Sequence, residues 1–523
     1  MKELKRYLNA GAGVIHLRTR ERDRVLSLLT GTFQNVVAWD ILYGWRKFTP
    51  TGEWEVASGE KDPLAALMFL NTAINGTYVM AGNITPFLKA PAIIEALKQH
   101  ARALSEVAEK RLIVITPESV FLSEELRHDI PVVDMPLPSQ EELKAILASV
   151  LEDSGADATT FTTKQTETIS SSAAGMTGCE AELAYSGAII RAAERMGSLQ
   201  KWDEAPNCFE DFNSVVLGAK TEVLKQSEIL ELMKPVSFNE VGGLDRLKDW
   251  IKTAAKTFTP EALAYGCDLP KGIAAVGPPG TGKTLIGKAI ATTLGQPLVK
   301  FDVSRCYGSL VGESEGRVRV ALNQLEAMGR VVVLFDEIDK SLGGAHQSGG
   351  DSGVSKRVLG AILTFMQETK APIFPIYTAN RVAGLPPELL RKGRLDEVFA
   401  VLPPNRTERR EIFKIHLRKR KQDAPLDLTD AVNLSEGFVS SEIEGAVKEA
   451  VKWAFCKSLP CVTEELLCEQ LREIKPISKA FAEDFAAMEE WAKCHARLAS
   501  SPEFIPTDGE AAPPRRRRSI NSH

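Results

Sequence analysis

Residues 277–284 constrain the fold of this chain more than any other stretch does. They read Gly-Pro-Pro-Gly-Thr-Gly-Lys-Thr and match G-x-x-x-x-G-K-[ST], the pattern of a phosphate-binding loop. The apolar run 272–276 before them predicts a short buried strand, and residues 285–294 after them have the spacing of a helix that ends at Gly295. A strand, a glycine-rich turn and a helix are the context that this loop requires. The sequence therefore predicts an α/β fold with a nucleoside triphosphate site.

Each residue type in the loop has a chemical reason. Glycines let backbone N–H groups turn inward around a phosphate, beside the positive end of the helix dipole. We expect Lys283 to reach the β- and γ-phosphates and Thr284 to offer its hydroxyl to Mg²⁺. The loop residues predicted to bind the nucleotide are Pro279, Gly280, Thr281, Gly282, Lys283 and Thr284.

The size and charge of the chain limit its function further. Its 523 residues suggest three or four domains, and its net charge of −5 argues against a protein that binds nucleic acid through bulk charge. No apolar run approaches the ~18–20 residues that a membrane helix needs, and the N-terminus lacks the apolar segment of a signal peptide. Eight scattered cysteines without a C-x-x-C pair favour a reducing compartment. We expect a cytoplasmic protein without membrane contact.

Two further apolar runs end in polar residues. The run 331–335 is followed by Asp336 and Glu337, some fifty residues after the loop. Carboxylates at the carboxyl end of a buried strand lie where α/β ligands bind. Asp336 is predicted to hold Mg²⁺ through water, and Glu337 to orient and deprotonate the attacking water. The second apolar run is residues 374–378, and Asn380 lies shortly after it. Asn380 is predicted to form a hydrogen bond with that water or with the γ-phosphate.

Two arginines stand three residues apart at the end of a predicted helix. Arg391 and Arg394 carry guanidinium groups, which suit phosphate oxygens, and no local acidic partner accounts for both. We interpret them as groups offered to the nucleotide of a neighbouring subunit. This predicts a homo-oligomer.

The first half of the chain alternates strand-like and helix-like segments up to about residue 152. This alternation predicts a parallel sheet with crossover helices, and the half has neither a phosphate loop nor an acidic pair after a strand. Four of its segments parallel segments of the second half in the same order. The pairs are 112–119 with 374–381, 123–127 with 387–391, 136–138 with 402–404, and 175–182 with 437–444. A degenerate copy explains this order, and an unrelated α/β domain remains the alternative.

The pattern also predicts where the domains divide. A helix is expected from residue 216 to residue 233, and residues 157–172 are expected to form a loop or a weak helix. The predicted divisions are a degenerate α/β domain (1–152), a helical segment and linker (153–234), an α/β nucleotide-binding domain (235–404), a helical domain (405–480), and a C-terminal helix with a basic tail (481–523); the family resemblance given next implies that the two helical parts are a lid-like segment and a lid.

The motifs of the second half, taken together, resemble the AAA ATPases over about residues 236 to 460. The motifs that carry the resemblance are 236–244, 269–272, the loop 277–284, 312–315, the acidic strand, Asn380 and 393–396. The resemblance implies an AAA-type domain with a small helical lid that includes residues 437–453, adenine against the backbone of Val241 and Gly242, and a ring, expected to be a hexamer. The whole chain is similar to a narrower AAA group, known as a hypothetical chloroplast reading frame in algae and cyanobacteria.

Two departures from the AAA pattern bear on the substrate. AAA protein unfoldases present an aromatic side chain to a central pore, whereas Leu310 and Val311 stand at this place, with Tyr307 nearby. Residues 440–442 read Ser-Ser-Glu, and no arginine follows soon enough to act as a second nucleotide sensor. We expect a machine that remodels a protein partner. The alternative is a nucleotide-gated switch or scaffold, and a nucleic-acid partner, suggested only by the four arginines 515–518, is least favoured.

Overall fold

The structure is a computed structural model that describes most of the chain. The residues it does not describe are 1, 50–51, 108, 119, 156–159, 197–208, 227–228, 235, 307–312, 344–351, 382–388, 390, 392, 423 and 503–523. The chain divides into two compact units. The first comprises residues 1–232, 301–331 and 348–373, and the second comprises residues 233–300, 332–347 and 374–523.

A seven-stranded sheet is built from the first 134 residues. Its strands are β1 (Val14–Arg18), β2 (Val36–Asp40), β3 (Gly44–Phe48), β4 (Trp54–Ser58), β5 (Gly76–Met80), β6 (Lys110–Thr116) and β7 (Val132–Asp134). The helices between them are α1 (Lys2–Asn9), α2 (Arg22–Thr30), α3 (Pro63–Phe69), α4 (Pro91–Ala103) and α5 (Glu124–Arg127). Val14 belongs to one buried cluster and its neighbour Ile15 to another, so apolar side chains cover both faces of the sheet.

The strand order of this sheet is β4-β3-β2-β5-β6-β1-β7. The predicted parallel pairing is confirmed for β2, β5, β6, β1 and β7. The prediction was incomplete, because β3 and β4 extend the sheet as antiparallel strands. Gly44, at φ +73°, allows the tight turn into β3. The side chains of β4 are mostly exposed, so no apolar run marks that strand in the sequence.

Four helices follow the first sheet and share a core of their own. They are α6 (Gln140–Asp153), α7 (Thr163–Ala173), α8 (Gly178–Met196) and α9 (Phe209–Gln226). Within the Thr/Ser-rich stretch the structure describes α7, which starts with a capping box between Thr162 and Gln165. The buried rings of Phe161 and Phe212, 5.1 Å apart, join this bundle.

The second sheet also has seven strands, in the order β14-β13-β9-β12-β11-β10-β8. They are β8 (Leu230–Met233), β9 (Ile273–Val276), β10 (Leu298–Phe301), β11 (Val331–Phe335), β12 (Ile373–Ala379), β13 (Glu397–Ala400) and β14 (Arg497–Leu498). The helices between these strands are α10 (Asp245–Thr257), α11 (Pro260–Tyr265), α12 (Lys283–Leu294), α13 (Glu313–Met328), α14 (Ile338–Gly343) and α15 (Ser352–Glu368). Every side chain of β9, β11 and β12 is buried, as expected for the central strands of an α/β sheet.

A small helical domain follows β13 and has a separate apolar core. Its helices are α16 (Arg406–Lys419), α17 (Thr429–Leu434), α18 (Ser440–Cys456) and α19 (Glu464–Glu473). Two helices then lead to the last strand, namely α20 (Ile477–Ala480) and α21 (Ala482–His495). The predicted C-terminal helix is thus present as α21, whereas the arginines 515–518 lie outside the described residues.

The two sheets share one connectivity. Numbered in chain order, the strands β1, β2, β5, β6 and β7 have the spatial order 5-1-4-3-2, and so do β9, β10, β11, β12 and β13. The paralleled segments 112–119 and 374–381 fall on the fourth strand of each set and the turn after it. This confirms the interpretation of the first half as a degenerate copy of the second. The predicted domain divisions stay predictions.

The helix predicted from residue 216 to residue 233 is wrong at its C-terminal end. Helix α9 ends at Gln226, and residues 230–233 form strand β8 beside β10. The carbonyl of Ile229 accepts a hydrogen bond from the N–H of Asp302 at 2.9 Å, and Leu230 is buried. Pairing with the sheet edge outweighs the local helical spacing. The short strand β14, parallel to β13, was likewise not predicted.

Gly272, which precedes β9, lies very close to the backbone of β12. Gly272 has φ +92°, and a Cβ there would collide with the carbonyl oxygen of Pro375. Gly266 has a similar φ of +100°, but a Cβ there would meet nothing within 4 Å. Both alanine variants carry the backbone strain of about 1–2 kcal/mol, and only Gly272→Ala also forces backbone apart.

We therefore expect Gly272→Ala to lower the free energy of unfolding by at least about 3 kcal/mol, and Gly266→Ala by about 1 kcal/mol. Equilibrium denaturation monitored by circular dichroism measures both. Equal losses in the two variants would contradict the close approach of Gly272 to β12.

Candidate active site

The loop 277–284 has the conformation that its glycines predict. Gly280 and Gly282 both adopt the left-handed region, at φ +82° and +91°, which side chains with a Cβ rarely enter. Helix α12 begins immediately after Gly282, at Lys283. The loop therefore lies at the N-terminal, electropositive end of a twelve-residue helix.

Lys283 is a buried cation inside this loop. Its side chain is 6% exposed, and Nζ donates to the carbonyl oxygens of Gly277 at 2.8 Å and Pro278 at 2.7 Å. Burial lowers the pKa of Lys283 to about 8, and the nearby carboxylates of Asp339 and Asp336 oppose that shift. The ammonium group of Lys283 is thus a positive charge shielded from water, which suits a phosphate ligand.

Asp336 is the centre of a set of oxygen atoms at the carboxyl end of β11. The hydroxyl of Thr284 donates to it across 3.1 and 3.2 Å, and the hydroxyl of Thr378 donates to Oδ1 at 2.6 Å. Within the described residues, no group of three or more histidine, cysteine, aspartate or glutamate side chains is placed to hold a metal. Mg²⁺ in nucleotide sites takes one or two protein oxygens and otherwise phosphate and water. The hydroxyl and carboxylate oxygens present here fit that ion.

Glu337 is held in a strained and well-defined position. Its backbone has φ +51°, and its N–H donates to the hydroxyl of Thr378 at 2.8 Å. Its carboxylate accepts from Asn380 Nδ2 at 3.0 Å and from Lys340 Nζ at 2.7 Å. The hydrogen bond from Lys340 lowers the pKa of Glu337, the bond from Asn380 adds to this, and partial burial opposes it. Glu337 is therefore an ionised carboxylate at neutral pH, as a general base requires.

The structure brings together five of the predicted residues, namely Lys283, Thr284, Asp336, Glu337 and Asn380. It adds Thr378, Lys340 and Asp339, which the sequence analysis did not single out. Thr378 lies two residues before Asn380, and Asp339 and Lys340 continue the acidic segment, so position was the only available signal for them.

Val241 and Gly242 line a pocket between the loop and the small helical domain. A Cβ on Gly242 would lie 2.6 Å from Cγ1 of Ile412, so only glycine permits this approach. The carboxylate of Glu408, 7% exposed, accepts from the N–H of Leu244 at 2.8 Å and fixes the turn. Further residues around the pocket are Thr281, Gly282, Leu285, Ile415 and His416. The predicted adenine-side residues thus lie beside the loop, and the sequence analysis missed their apolar partners on α16.

The small helical domain touches the loop through the start of α18. The N–H of Ser441 donates to the carbonyl of Gly280 at 3.0 Å, and a Cβ on Gly280 would collide with the Ser441 hydroxyl. The backbone at the start of α18 therefore contacts the loop directly.

The two predicted arginines lie outside this network. The side chain of Arg391 is exposed and that of Arg394 is half-buried. Neither side chain forms a hydrogen bond or an ion pair with the described part of the chain. Their segment is fixed by the backbone, since Lys271 Nζ donates to the carbonyl of Gly393 at 2.8 Å and the N–H of Lys271 donates to Asp396 at 2.7 Å. The predicted pore residues Leu310 and Val311 fall outside the described residues.

In the first sheet, charged side chains lie at the turn that corresponds to the phosphate loop. Strand β1 reaches α2 without a glycine loop, and Arg18 donates to both carboxylate oxygens of Asp134 at 2.6 Å. Glu21, 8% exposed, accepts from the N–H of Gly178, at the start of α8, at 2.5 Å. Arg24 donates to the same carboxylate at 2.6 Å. A protein carboxylate thus accepts a hydrogen bond from the start of α8, the helix that corresponds to α18, and ion pairs lie at the turn between β1 and α2.

The turn that carries Glu337 also has a counterpart in the first half. Asn83, which follows β5, has φ +47°, close to the +51° of Glu337. Gly82 and Asn83 precede Ile84 as Asp336 and Glu337 precede Ile338. The backbone turn is kept, and neither carboxylate is present in it. Among the described helices, none is long and apolar enough to cross a membrane.

The fold and the site are those of an AAA-type phosphate-loop ATPase. The family described as "ATPase family associated with various cellular activities (AAA)" matches residues 273–402. A second family, "SpoVK-like AAA ATPase, N-terminal domain", matches residues 1–135. The chain also resembles the Cell division cycle protein 48 homolog of Archaeoglobus fulgidus, with 30% identity over 49% of this chain and 36% of that protein.

The similarity over the full length is more specific. The AAA domain-containing protein ycf46 of Guillardia theta is 31% identical over 519 residues, which cover 96% of each chain. The protein of the same name from Pyropia yezoensis is 31% identical over 94% of this chain and 97% of its own. The chain therefore belongs to the ycf46 family of AAA proteins, which confirms the resemblance drawn from the motifs.

The buried charge of Lys283 affects both the affinity of the loop for phosphate and the free energy of unfolding of the chain. A pKa lowered from 10.5 to about 8 corresponds to about 3 kcal/mol of disfavoured charge at neutral pH. Between pH 8 and about pH 10 the unfolded chain binds more protons at this residue than the folded chain does, so its contribution to stability rises with pH there.

We expect Lys283→Met, without nucleotide, to be more stable than the wild type by about 1–3 kcal/mol at pH 7. The difference should shrink as the pH rises from 8 towards 10. Denaturation with and without ATP measures this, and only the wild type should gain stability from ATP. A less stable variant at pH 7 would contradict the cost assigned to the buried ammonium, and residual ATP binding would reveal a second site.

Proposed function

We propose that this protein hydrolyses ATP in a Mg²⁺-dependent reaction at the loop of the second sheet. The observation that carries the proposal is the position of Glu337, whose ionised carboxylate is held between Asn380 and Lys340 at the sheet edge that also carries Lys283. When bound, Mg²⁺ would neutralise phosphate charge, with Thr284 and Asp336 to hold it. Lys283 and the loop N–H groups bind the β- and γ-phosphates.

Glu337 supplies the base for the hydrolytic step. A water molecule between Glu337 and the γ-phosphate loses its proton to the carboxylate as its oxygen bonds to phosphorus and the bond to the ADP oxygen breaks. Asn380 holds the carboxylate and is within reach of the same water. The Thr378 hydroxyl keeps Asp336 and Glu337 in their two separate orientations.

Glu337→Gln removes the base and the charge that pairs with Lys340, while glutamine keeps the size of the side chain and an oxygen that can accept the hydrogen bond from Asn380. We expect ATP affinity within about threefold of the wild type and a loss of turnover of at least about 10²-fold. Isothermal titration with ATP and a phosphate-release assay measure the two quantities. Normal turnover in Glu337→Gln would show that another group activates the water.

Ring assembly is the second part of the proposal. Arg391 is exposed, Arg394 is half-buried, and neither has a side-chain partner among the described residues, so both are available to the nucleotide of a neighbouring copy. In other nucleotide hydrolases an arginine finger contributes ~10³–10⁵ in rate. A closed head-to-tail ring, proposed to be a hexamer, would complete every site with a neighbour's arginine.

The arginine role predicts complementation between two inactive variants. Arg394→Ala retains an intact loop, and Lys283→Ala retains intact arginines. Their mixture should regain turnover, whereas each variant alone should be inactive, and wild-type activity per chain should fall steeply on dilution. Flat activity on dilution to proven monomer, with no recovery in the mixture, would leave the two arginines a structural role.

We propose that ATP turnover remodels a protein partner, with Leu310 and Val311 in contact with it. One observation favours a second candidate, a nucleotide-gated switch or scaffold: the first half closes its own site with ion pairs and can present a constant surface to a regulator. Leu310→Ala separates the two, because remodelling should fail with ATPase activity intact, while a switch should be unaffected.

A reducing, cytoplasmic compartment is the location that we propose. Seven cysteines lie within the described residues, and all seven are free thiols. Scattered free thiols persist in compartments where glutathione and thioredoxin keep them reduced.

A further inference from the structure

The first sheet has a pocket at the carboxyl ends of β2 and β5. Its volume is about 400 Å³, which lies within the ~300–1,000 Å³ that sites for small molecules occupy. Three segments form its walls, namely the start of α2, the turn after β2 and the turn after β5. The carboxyl ends of parallel strands are where α/β sheets bind ligands. The pocket therefore lies at the edge where a ligand of this sheet is expected.

The turn after β2 is fixed by the buried carboxylate of Asp40. Oδ1 accepts from the N–H groups of Leu42 and Tyr43, each at 2.9 Å, and Oδ2 accepts from Arg46 Nη2 at 2.7 Å. The turn after β5 packs closely against Asp40, since a Cβ on Gly82 would lie 2.6 Å from the Cβ of Asp40. These contacts hold the walls of the pocket in place without a ligand.

Arg46 presents a guanidinium group whose orientation is set by two aromatic rings. Its Cζ lies 4.5 Å from the ring centre of Tyr43 and 5.8 Å from that of Trp54. Nε is buried and has no hydrogen-bond partner among the described residues, and Asp40 engages Nη2 alone. A guanidinium group can donate five hydrogen bonds. Arg46 therefore keeps donors for a further acceptor.

Arg22 brings a second positive charge to the pocket. Its Nη1 lies beside Gly82, 3.8 Å from the position of a Cβ on that glycine. Its Nε donates to Asp23 at 3.2 Å, but the Asp23 side chain is 88% exposed, and such ion pairs are weak. The residues that line the pocket include two arginines and one carboxylate. The lining is thus positively charged and favours an anion.

Comparison with the second half explains the sign of this charge. Arg22 is the first residue of α2, as Lys283 is the first residue of α12. Residues 82–83, Gly-Asn, stand where the second half has the carboxylates of Asp336 and Glu337. The cation at the helix start is kept, and the two negative charges are lost. An anion at this edge of the first sheet can therefore contact the arginines directly.

We infer that the pocket binds a small anion that carries an apolar or aromatic group. Arg22 and Arg46 contact its phosphate or carboxylate, since guanidinium groups suit the oxygen pairs of both. Leu42 is 66% exposed and Tyr43 is 54% exposed on the fixed turn, so they offer the rest of the ligand a rigid apolar surface. The inference does not depend on ATP hydrolysis by the second half.

The first experiment titrates phenyl phosphate, an aromatic anion, into the full chain by calorimetry, with ADP and Mg²⁺ at saturation to fill the phosphate loop. Asn83→Asp places a carboxylate in the pocket, and Asn35→Asp makes the same change before β2, outside the pocket. Both asparagines are exposed and have left-handed backbone, which aspartate also tolerates. The two variants are therefore matched.

We expect the wild type to bind phenyl phosphate with a dissociation constant on the order of 1 mM or lower. Asn83→Asp should raise this constant at least about tenfold, because a like charge repels the anion, and Asn35→Asp should leave it unchanged. The same affinity in both variants, or no saturable binding to the wild type, would overturn the inference.

The second experiment separates the two parts of the ligand. Arg22→Gln should weaken the binding of both phenyl phosphate and benzoate at least about fivefold, and the probe that binds more tightly identifies the anion. The wild type should prefer phenyl phosphate to inorganic phosphate, and Tyr43→Ser should lose this preference. Circular dichroism checks the folding of each variant, so the result stands whether or not ATP is hydrolysed. Unchanged binding of both probes to Arg22→Gln, or an undiminished preference in Tyr43→Ser, would overturn the inference.

Discussion

The hydroxyl of Thr378 is the contact on which the geometry of the site depends. It donates to Asp336 and accepts from the backbone N–H of Glu337, so one side chain at the end of β12 joins two residues at the end of β11. This arrangement stabilises the left-handed backbone of Glu337 and turns its carboxylate away from that of Asp336. Two adjacent acids can then do different work, since one faces the Thr284 hydroxyl and the other faces Asn380.

The two halves of the chain solve the same electrostatic problem differently. A parallel sheet with this strand order gathers helix starts and strand ends at one edge, which favours negative charge there. The second half leaves this edge to a ligand and keeps a buried ammonium for it. The first half satisfies the edge with its own carboxylates, Glu21 and Asp134, each bound to an arginine. The first half therefore keeps the same strand order with ion pairs at this edge.

Much of the site could be predicted from the sequence, because phosphate chemistry demands particular residues at fixed places after strands. Lys283, Asp336 and Asn380 stand at such places. The rest depends on tertiary contacts that leave no periodic signal. Strand β8 has a helical pattern in the sequence, and β14 is only two residues long. Both segments form strands because a neighbouring strand pairs with them.

The strand β14 has a consequence for how the chain folds as it is synthesised. The backbone of Ala499 bonds to Ala400 and Leu247, and Ser501 bonds to Asp245 across 256 positions of the sequence. The edge of β13 therefore has no partner until residues 497–501 have left the ribosome. An unpaired strand edge can pair with other chains. A nascent chain that stalls before this point exposes such an edge, so residues 497–501 protect the module from aggregation during translation.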